Sequence, residues 1–219
     1  MDVVGLLARS ELFSTFGPEA LDRVASAARL CQFSRNQVIF SEGDEASEMY
    51  VVQMGRIAIA NRSADGRESV VALMEEGDLL GEMGLFLREG RSAQARALEP
   101  SELLAVPFSA LRDVLETQPS LLWEVVALLA RRLRSTDAAL ADSVFLDVTG
   151  RTAKRLLELA GGADEFVLPI TQEELAGMVG ASRERVNKAI SAFIRLGWIE
   201  QLDRRYRITD REQLARRAT

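Results

Sequence analysis

Thr171-Gln172-Glu173-Glu174-Leu175-Ala176-Gly177-Met178-Val179-Gly180-Ala181-Ser182-Arg183-Glu184-Arg185-Val186 holds two helix starts separated by one glycine. Thr171 and Glu174 stand at capping-box spacing, so a helix begins at Gln172. Leu175, Ala176, Met178 and Val179 supply its apolar side. Gly180 permits the left-handed backbone of a tight turn, and Ser182 is a good N-cap for a second helix reaching about Leu196. Val186, Ala189, Ile190 and Phe193 form the buried stripe of that helix, and Arg183, Glu184, Arg185, Asn187 and Lys188 crowd its other side. A short helix, a glycine turn and a second helix with polar residues at its start predict a helix-turn-helix. Arg can donate twice to guanine and Glu can accept from cytosine. Thr171, Ser182 and the basic side chains suit phosphates.

The flanks fit this reading. Gly197-Trp198-Ile199-Glu200 and Arg207-Ile208 surround Asp203-Arg204-Arg205, which predicts a hairpin wing with a basic tip. Upstream, residues 149–160 predict a helix ended by Gly161-Gly162, followed by a short strand at Phe166-Val167-Leu168. A boundary is expected near Leu146-Asp147-Val148. Before it runs the longest helical segment, opened by Pro119-Ser120 and ending near Phe145. Leu122, Val126, Leu129, Leu133, Thr136, Leu140 and Ser143 alternate at steps of four and three, which is a parallel coiled-coil seam. Thr136 places a hydroxyl in that seam, and a buried hydroxyl needs a polar partner.

Residues 31–107 change character. Val38-Ile39-Phe40, Met49-Tyr50-Val51-Val52, Arg56-Ile57-Ala58-Ile59-Ala60 and Ser69-Val70-Val71-Ala72-Leu73-Met74 are apolar or alternating runs separated by Gly-rich turns. They predict an antiparallel barrel or jelly roll, with helices disfavoured in this stretch. Residues 2–30 predict one or two short helices broken at Gly17-Pro18. The fold class is therefore α+β: an N-terminal antiparallel β jelly roll over 1–118, a long dimerisation helix over 119–145 and a C-terminal winged helix-turn-helix over 146–219.

Composition restricts the function. The chain has 219 residues, one cysteine and no histidine. Histidine-dependent catalysis, imidazole-ligated haem and a histidine zinc site are excluded, and one thiol cannot hold an iron–sulfur cluster. Residues 1–145 carry 14 Lys+Arg against 22 Asp+Glu, while residues 146–219 carry 13 against 11. The net charge of −6 thus belongs to the N-terminal part, and the C-terminal part tolerates phosphate contact. No apolar run approaches the roughly 20 residues that a bilayer demands. The start lacks a signal-peptide n-region, so a cytoplasmic protein without a membrane partner is expected.

Gly81-Glu82-Met83-Gly84-Leu85-Phe86 followed by Arg91-Ser92-Ala93 is the second informative stretch. Glycines around a short helical turn expose amides to an anion, Arg91 can pair with it bidentately and Ser92 adds a hydroxyl. Glu82 beside an anion needs a separate donor, and a ribose hydroxyl would serve.

With these motifs, and with Phe145-Leu146-Asp147-Val148-Thr149-Gly150-Arg151, the chain resembles the cyclic-AMP receptor and fumarate–nitrate-reduction regulator family. The resemblance covers about residues 6–215 and is nearest to the actinobacterial cyclic-AMP receptor branch. It implies a homodimer that binds double-stranded DNA and a 3′,5′-cyclic nucleotide, cyclic AMP or cyclic GMP. No cofactor or metal is implied, and RNA polymerase is implied as a partner. Glu82 would accept from the ribose 2′-hydroxyl. Arg91 and Ser92 would hold the phosphate beside Gly81 and the Met83 backbone, and Thr136 and Asp137 would meet the base. Arg183, Glu184 and Lys188 would read half-sites resembling TGTGA, with Thr171, Ser182 and Arg185 beside them.

Three departures stand out. Asp137 replaces the usual Ser or Asn, Lys188 replaces a usual Arg, and the loop Gly161-Gly162-Ala163-Asp164 is short at a polymerase-contacting position. Alanine at Arg91 is expected to abolish the nucleotide response and leave the fold intact. The competing readings are a regulator that binds DNA without ligand or answers to another anion, a nucleotide-binding enzyme such as a cyclic-nucleotide hydrolase, and a sequence-neutral DNA-packaging protein.

Overall fold

The structure is a computed structural model that describes residues 2–62, 68–87 and 89–219. The chain divides into two compact units, one built from the residues up to 62 together with 71–133, the other centred on 134–219.

The first unit opens with α1 (Val3–Arg9), a 3₁₀ turn at Phe13–Thr15 and α2 (Pro18–Ala27), where Pro18 follows Gly17 at the helix start. The strands follow in chain order: β1 (Arg29–Phe33), β2 (Val38–Phe40), β3 (Glu48–Met54), β4 (Ile57–Arg62), β5 (Glu68–Met74) and β6 (Leu79–Leu80). After α3 (Met83–Phe86) come β7 (Gln94–Ala97), β8 (Ser101–Pro107) and α4 (Phe108–Thr117). One sheet has the order β1-β8-β3-β6 and the other β2-β7-β4-β5, with antiparallel pairing at β1/β8, β8/β3, β3/β6, β2/β7 and β7/β4.

The central strands explain why their sequences are solidly apolar. In β3, Met49 and Val51 face a layer of helices while Tyr50 and Val52 face the second sheet. In β8, Leu104 and Val106 join the helical side, and Leu103 and Ala105 the inter-sheet core. A strand covered on both faces loses the apolar–polar alternation of a half-exposed one. The helical layer contributes Leu7, Phe13, Val24 and Leu111, together with Val125 and Leu128 of the long helix α5 (Leu122–Phe145).

The expected antiparallel β architecture is present, with two corrections. The short helical turn read at Gly81–Phe86 is the four-residue α3, a departure from the strands otherwise expected over residues 31–107. Four strands, β1, β6, β7 and β8, and the helix α4 lie outside the runs read as strands or helices from sequence. The Asp65-Gly66 turn lies outside the described residues. No helix among the described residues is long and apolar enough to cross a membrane.

In the second unit, the part of α5 from Arg134 onward is followed by α6 (Val148–Ala160), β9 (Glu165–Val167), α7 (Gln172–Val179), α8 (Arg183–Arg195), β10 (Ile199–Leu202), β11 (Arg205–Ile208) and α9 (Arg211–Arg217). The three strands have the order β10-β11-β9. Asp147 caps α6 by accepting from the Gly150 amide at 2.8 Å and pairs with the Arg217 guanidinium of α9. The Gly150 amide first, and Arg217 in addition, hold its carboxyl below the usual carboxylate range.

Between α7 and α8, Gly180 sits at φ +68°. The amides of Gly180 and Ala181 return to the carbonyls of Gly177 and Ala176 at 3.0 and 3.1 Å, a Schellman closure. A Cβ at Gly180 would touch nothing within 4 Å, so only backbone conformation resists substitution there. Gly180→Ala is therefore expected to cost about 1–2 kcal/mol of unfolding free energy, measured by urea denaturation. An unchanged midpoint would show that the turn does not need the left-handed residue.

Candidate functional site

Two groups of side chains stand out, one in each unit. In the first, β6 delivers Gly81 and Glu82 to the start of α3, and Arg91 and Ser92 return on the way into β7. The return is fixed by backbone bonds, Gly43 N–H to the Arg91 carbonyl and Arg91 N–H to the Asp44 carbonyl, both 2.8 Å. Five residues named from sequence meet here. Arg91 Nη1 donates to the Gly81 carbonyl at 2.9 Å, and the Ser92 hydroxyl lies 3.5 Å from Met83 Sδ. Gly81 has φ +80°, and a Cβ on it would lie 2.5 Å from Arg91 Nη1. Glycine at this position lets the guanidinium and the loop backbone approach each other.

Arg91 and Glu82 are 6% and 4% exposed, yet they do not pair with each other. Arg91 Nη2 donates to the Glu48 carbonyl at 2.7 Å, and the guanidinium lies over the Phe40 ring, 4.3 Å from its centroid. Its Nε is buried without an acceptor among the described residues. The Glu48 carboxylate cannot help, because Arg29 donates to both its oxygens and the Tyr50 hydroxyl donates to Oε1 at 2.6 Å. Burial lowers the Arg91 pKa, opposed by Tyr50 first and then by Glu48, Asp44 and Glu82. A guanidinium keeps its proton regardless. The loop thus holds a desolvated cation that makes no ion pair with the described residues. Such a group is expensive without an anion.

Glu82 is paired instead with Arg132 of α5, whose guanidinium also donates to the Leu79 carbonyl. Thr136 and Asp137 lie on the exposed part of α5 that belongs to the second unit.

The second group is built on α7 and α8. The expected capping box is formed: Thr171 Oγ1 accepts from the Glu174 amide at 3.1 Å, and Glu174 Oε2 accepts from the Thr171 amide at 2.7 Å. Ser182 Oγ accepts from the Arg185 amide at 3.4 Å. Both hydroxyls accept in these caps and retain a proton to donate outward. Val186, Ala189, Ile190 and Phe193 are buried as expected, so Arg183, Glu184, Arg185 and Lys188 are turned to solvent. Glu184 and Lys188 form an ion pair at 2.7 Å with both side chains about three-quarters exposed. At the wing, Asp203 has φ +55°. Arg204 is anchored to the Leu168 and Ile170 carbonyls at 2.9 and 3.3 Å, so the basic tip is only partly free to reach outward.

Residues 30–118 match the family model for the cyclic nucleotide-binding domain, and residues 150–217 match that for the Crp-like helix-turn-helix domain. A CRP-like cAMP-activated global transcriptional regulator of Mycobacterium tuberculosis is 37% identical over 97% of this chain and 98% of its own length. The chain belongs to the CRP-like family of transcriptional regulators. Among solved structures, the catabolite activator protein of Thermus thermophilus is 31% identical, with a TM-score of 0.56 over 95% of this chain and 98% of that one. FixK2 of Bradyrhizobium japonicum shares the fold at a TM-score of 0.80 and 21% identity, covering 88% and 98%.

A CRP-like chain is a regulator and not an enzyme, which removes the hydrolase reading. Sequence reasoning missed Arg132. Its signal was present: Val125, Leu128 and Arg132 continue one helical stripe, and Val125 and Leu128 are buried. A cation on a buried stripe requires an anion beneath it, and here that anion is Glu82. Phe40, which stacks on Arg91, had no sequence signal beyond its place in a strand.

Proposed function

We propose that this CRP-like chain is a homodimeric cytoplasmic regulator whose affinity for palindromic TGTGA-like DNA is set by a 3′,5′-cyclic nucleotide, cyclic AMP. The observation that carries the ligand is the buried Arg91 guanidinium, which has no counter-anion and no acceptor for Nε among the described residues. A cyclic phosphate supplies the missing charge, and the name of the mycobacterial relative states activation by cAMP.

In this reading Arg91 and Ser92 hold the phosphate beside Gly81 and the Met83 backbone. Glu82, oriented by Arg132, accepts from the ribose hydroxyl. Thr136 and Asp137 meet the base, the Asp137 carboxylate accepting from the adenine amino group. Thr171, Ser182 and Arg185 take phosphates of double-stranded DNA, while Arg183, Glu184 and Lys188 face base edges.

Residues 1–118 act as sensor, 119–145 as dimer helix and 146–219 as DNA reader. RNA polymerase is the further partner. The nucleotide sets the spacing of the two recognition helices through the hinge at Leu146–Val148, and one DNA turn requires about 34 Å. A coupling of about 1–3 kcal/mol corresponds to a 5- to 150-fold change in DNA affinity.

Calorimetric titration of the nucleotide-stripped protein with cyclic AMP, and separately with cyclic GMP, tests this. Saturation near one cyclic AMP per subunit, tighter than cyclic GMP, is expected. Tighter cyclic GMP binding would reassign the ligand. Absence of heat with both, together with an unchanged melting temperature, would sink the sensor reading and leave the DNA-binding reading standing.

A further inference from the structure

A shallow groove along the exposed face of α8 is lined by Glu184, Asn187, Lys188, Ser191, Ile194 and Arg195. Asn187 is the residue whose presence helix stability does not explain. It is exposed, four residues after Arg183 and three after Glu184, one turn further along the same surface. Its side-chain amide has no partner among the described residues, whereas Glu184 and Lys188 beside it are closed on each other at 2.7 Å. Asparagine in mid-helix is a poor helix former, and this one neither caps an end nor bonds back to the chain. Alanine, lysine or glutamate would serve the helix better.

The chemistry of the amide supplies the missing reason. It carries a donor and an acceptor in one plane, which matches the N7 acceptor and N6 amino donor that adenine presents in the major groove. Its neighbours differ in kind: Arg183 suits guanine, Glu184 suits cytosine, and Lys188 is a point charge. Among the groups lining the groove, Asn187 is the one suited to adenine in two-point contact. Being uncharged, it contributes nothing to counterion release. We propose that Asn187 is a specificity-determining residue that reads one adenine in each half-site. The inference rests on the DNA-binding reading above.

The test uses the 219-residue chain with cyclic AMP present. Selection from a randomised duplex library with the wild type defines the preferred half-site. Fluorescence anisotropy then compares wild type and Asn187→Ala on duplexes with each base pair replaced in turn. The wild type is expected to require an A·T pair at one position. On the preferred duplex the variant is expected to lose about 5- to 150-fold in affinity. It should bind all four pairs at that position nearly equally and keep discrimination elsewhere. Its slope of log affinity against log salt should not change, and its melting temperature should hold or rise.

Unaltered discrimination at every position overturns the proposal. So does a uniform loss with a shallower salt slope, which marks a phosphate contact instead. A wild type that selects no sequence removes the DNA-binding reading itself, and this inference with it.

Discussion

Arg91→Lys is expected to weaken cyclic-nucleotide binding by roughly 30- to 1,000-fold while leaving a folded protein. A lysine can reach one carbonyl or one phosphate oxygen, but it cannot present two parallel donors. Loss of a bidentate, desolvated contact costs about 2–4 kcal/mol, which is the range stated. Lysine is a sharper probe than alanine because of where Arg91 sits. The guanidinium satisfies the carbonyls of Gly81 and Glu48 and covers the Phe40 ring. Alanine would strand both acceptors at about 1–3 kcal/mol each, so its loss of response would be mixed with loss of fold. The expectation of an intact fold after alanine substitution is corrected on this ground. Calorimetry reads the binding and thermal melting the stability. Unchanged affinity in Arg91→Lys would remove Arg91 from the phosphate role.

The double variant Leu133→Glu, Leu140→Glu is expected to be monomeric at micromolar concentration, with dimer affinity reduced by more than about 10⁴-fold. Leu133 and Leu140 are 63% and 64% exposed in the single chain and stand seven residues apart on the proposed seam. Leu122, Val126 and Leu129 continue the same exposed stripe. Each buried leucine contributes about 1.5–3 kcal/mol, and the two substitutions remove four such side chains from a twofold interface. Glutamate is a good helix former, so α5 should persist in circular dichroism. Sedimentation equilibrium measures the assembly. DNA affinity should fall with it, because a monomer engages one half-site. A double variant that remains dimeric with unaltered affinity would show that this stripe is not the contact between copies.

Much of the molecule was legible because it is local. The capping box at Thr171 and Glu174, the N-cap at Ser182 and the turn at Gly180 each involve residues within five positions of each other. Their hydrogen bonds form wherever the segment is helical. The buried stripe of α8 follows from period alone, and the apolar runs of β2 to β5 from β-branched and apolar residues bounded by turn residues. The strands β7 and β8 were harder to find. Gln94-Ala95-Arg96-Ala97 shows its alternation in small residues only, and β8 begins directly after a proline turn.

By itself, the sequence determined the fold class, the helix-turn-helix with its exposed face, and the membership of Glu82, Arg91 and Ser92 in one motif. Tertiary structure alone decided what those side chains do when folded. It turned Arg91 inward onto two backbone carbonyls and an aromatic ring, and it brought Arg132 to Glu82 across fifty residues of chain. It also gave the Glu48 carboxylate to Arg29 and Tyr50. The reason is physical. Caps and periodicity are set by neighbours along the chain. The partner of a buried charge is set by how a helix packs on a sheet, and desolvation makes that pairing count only after the core has closed.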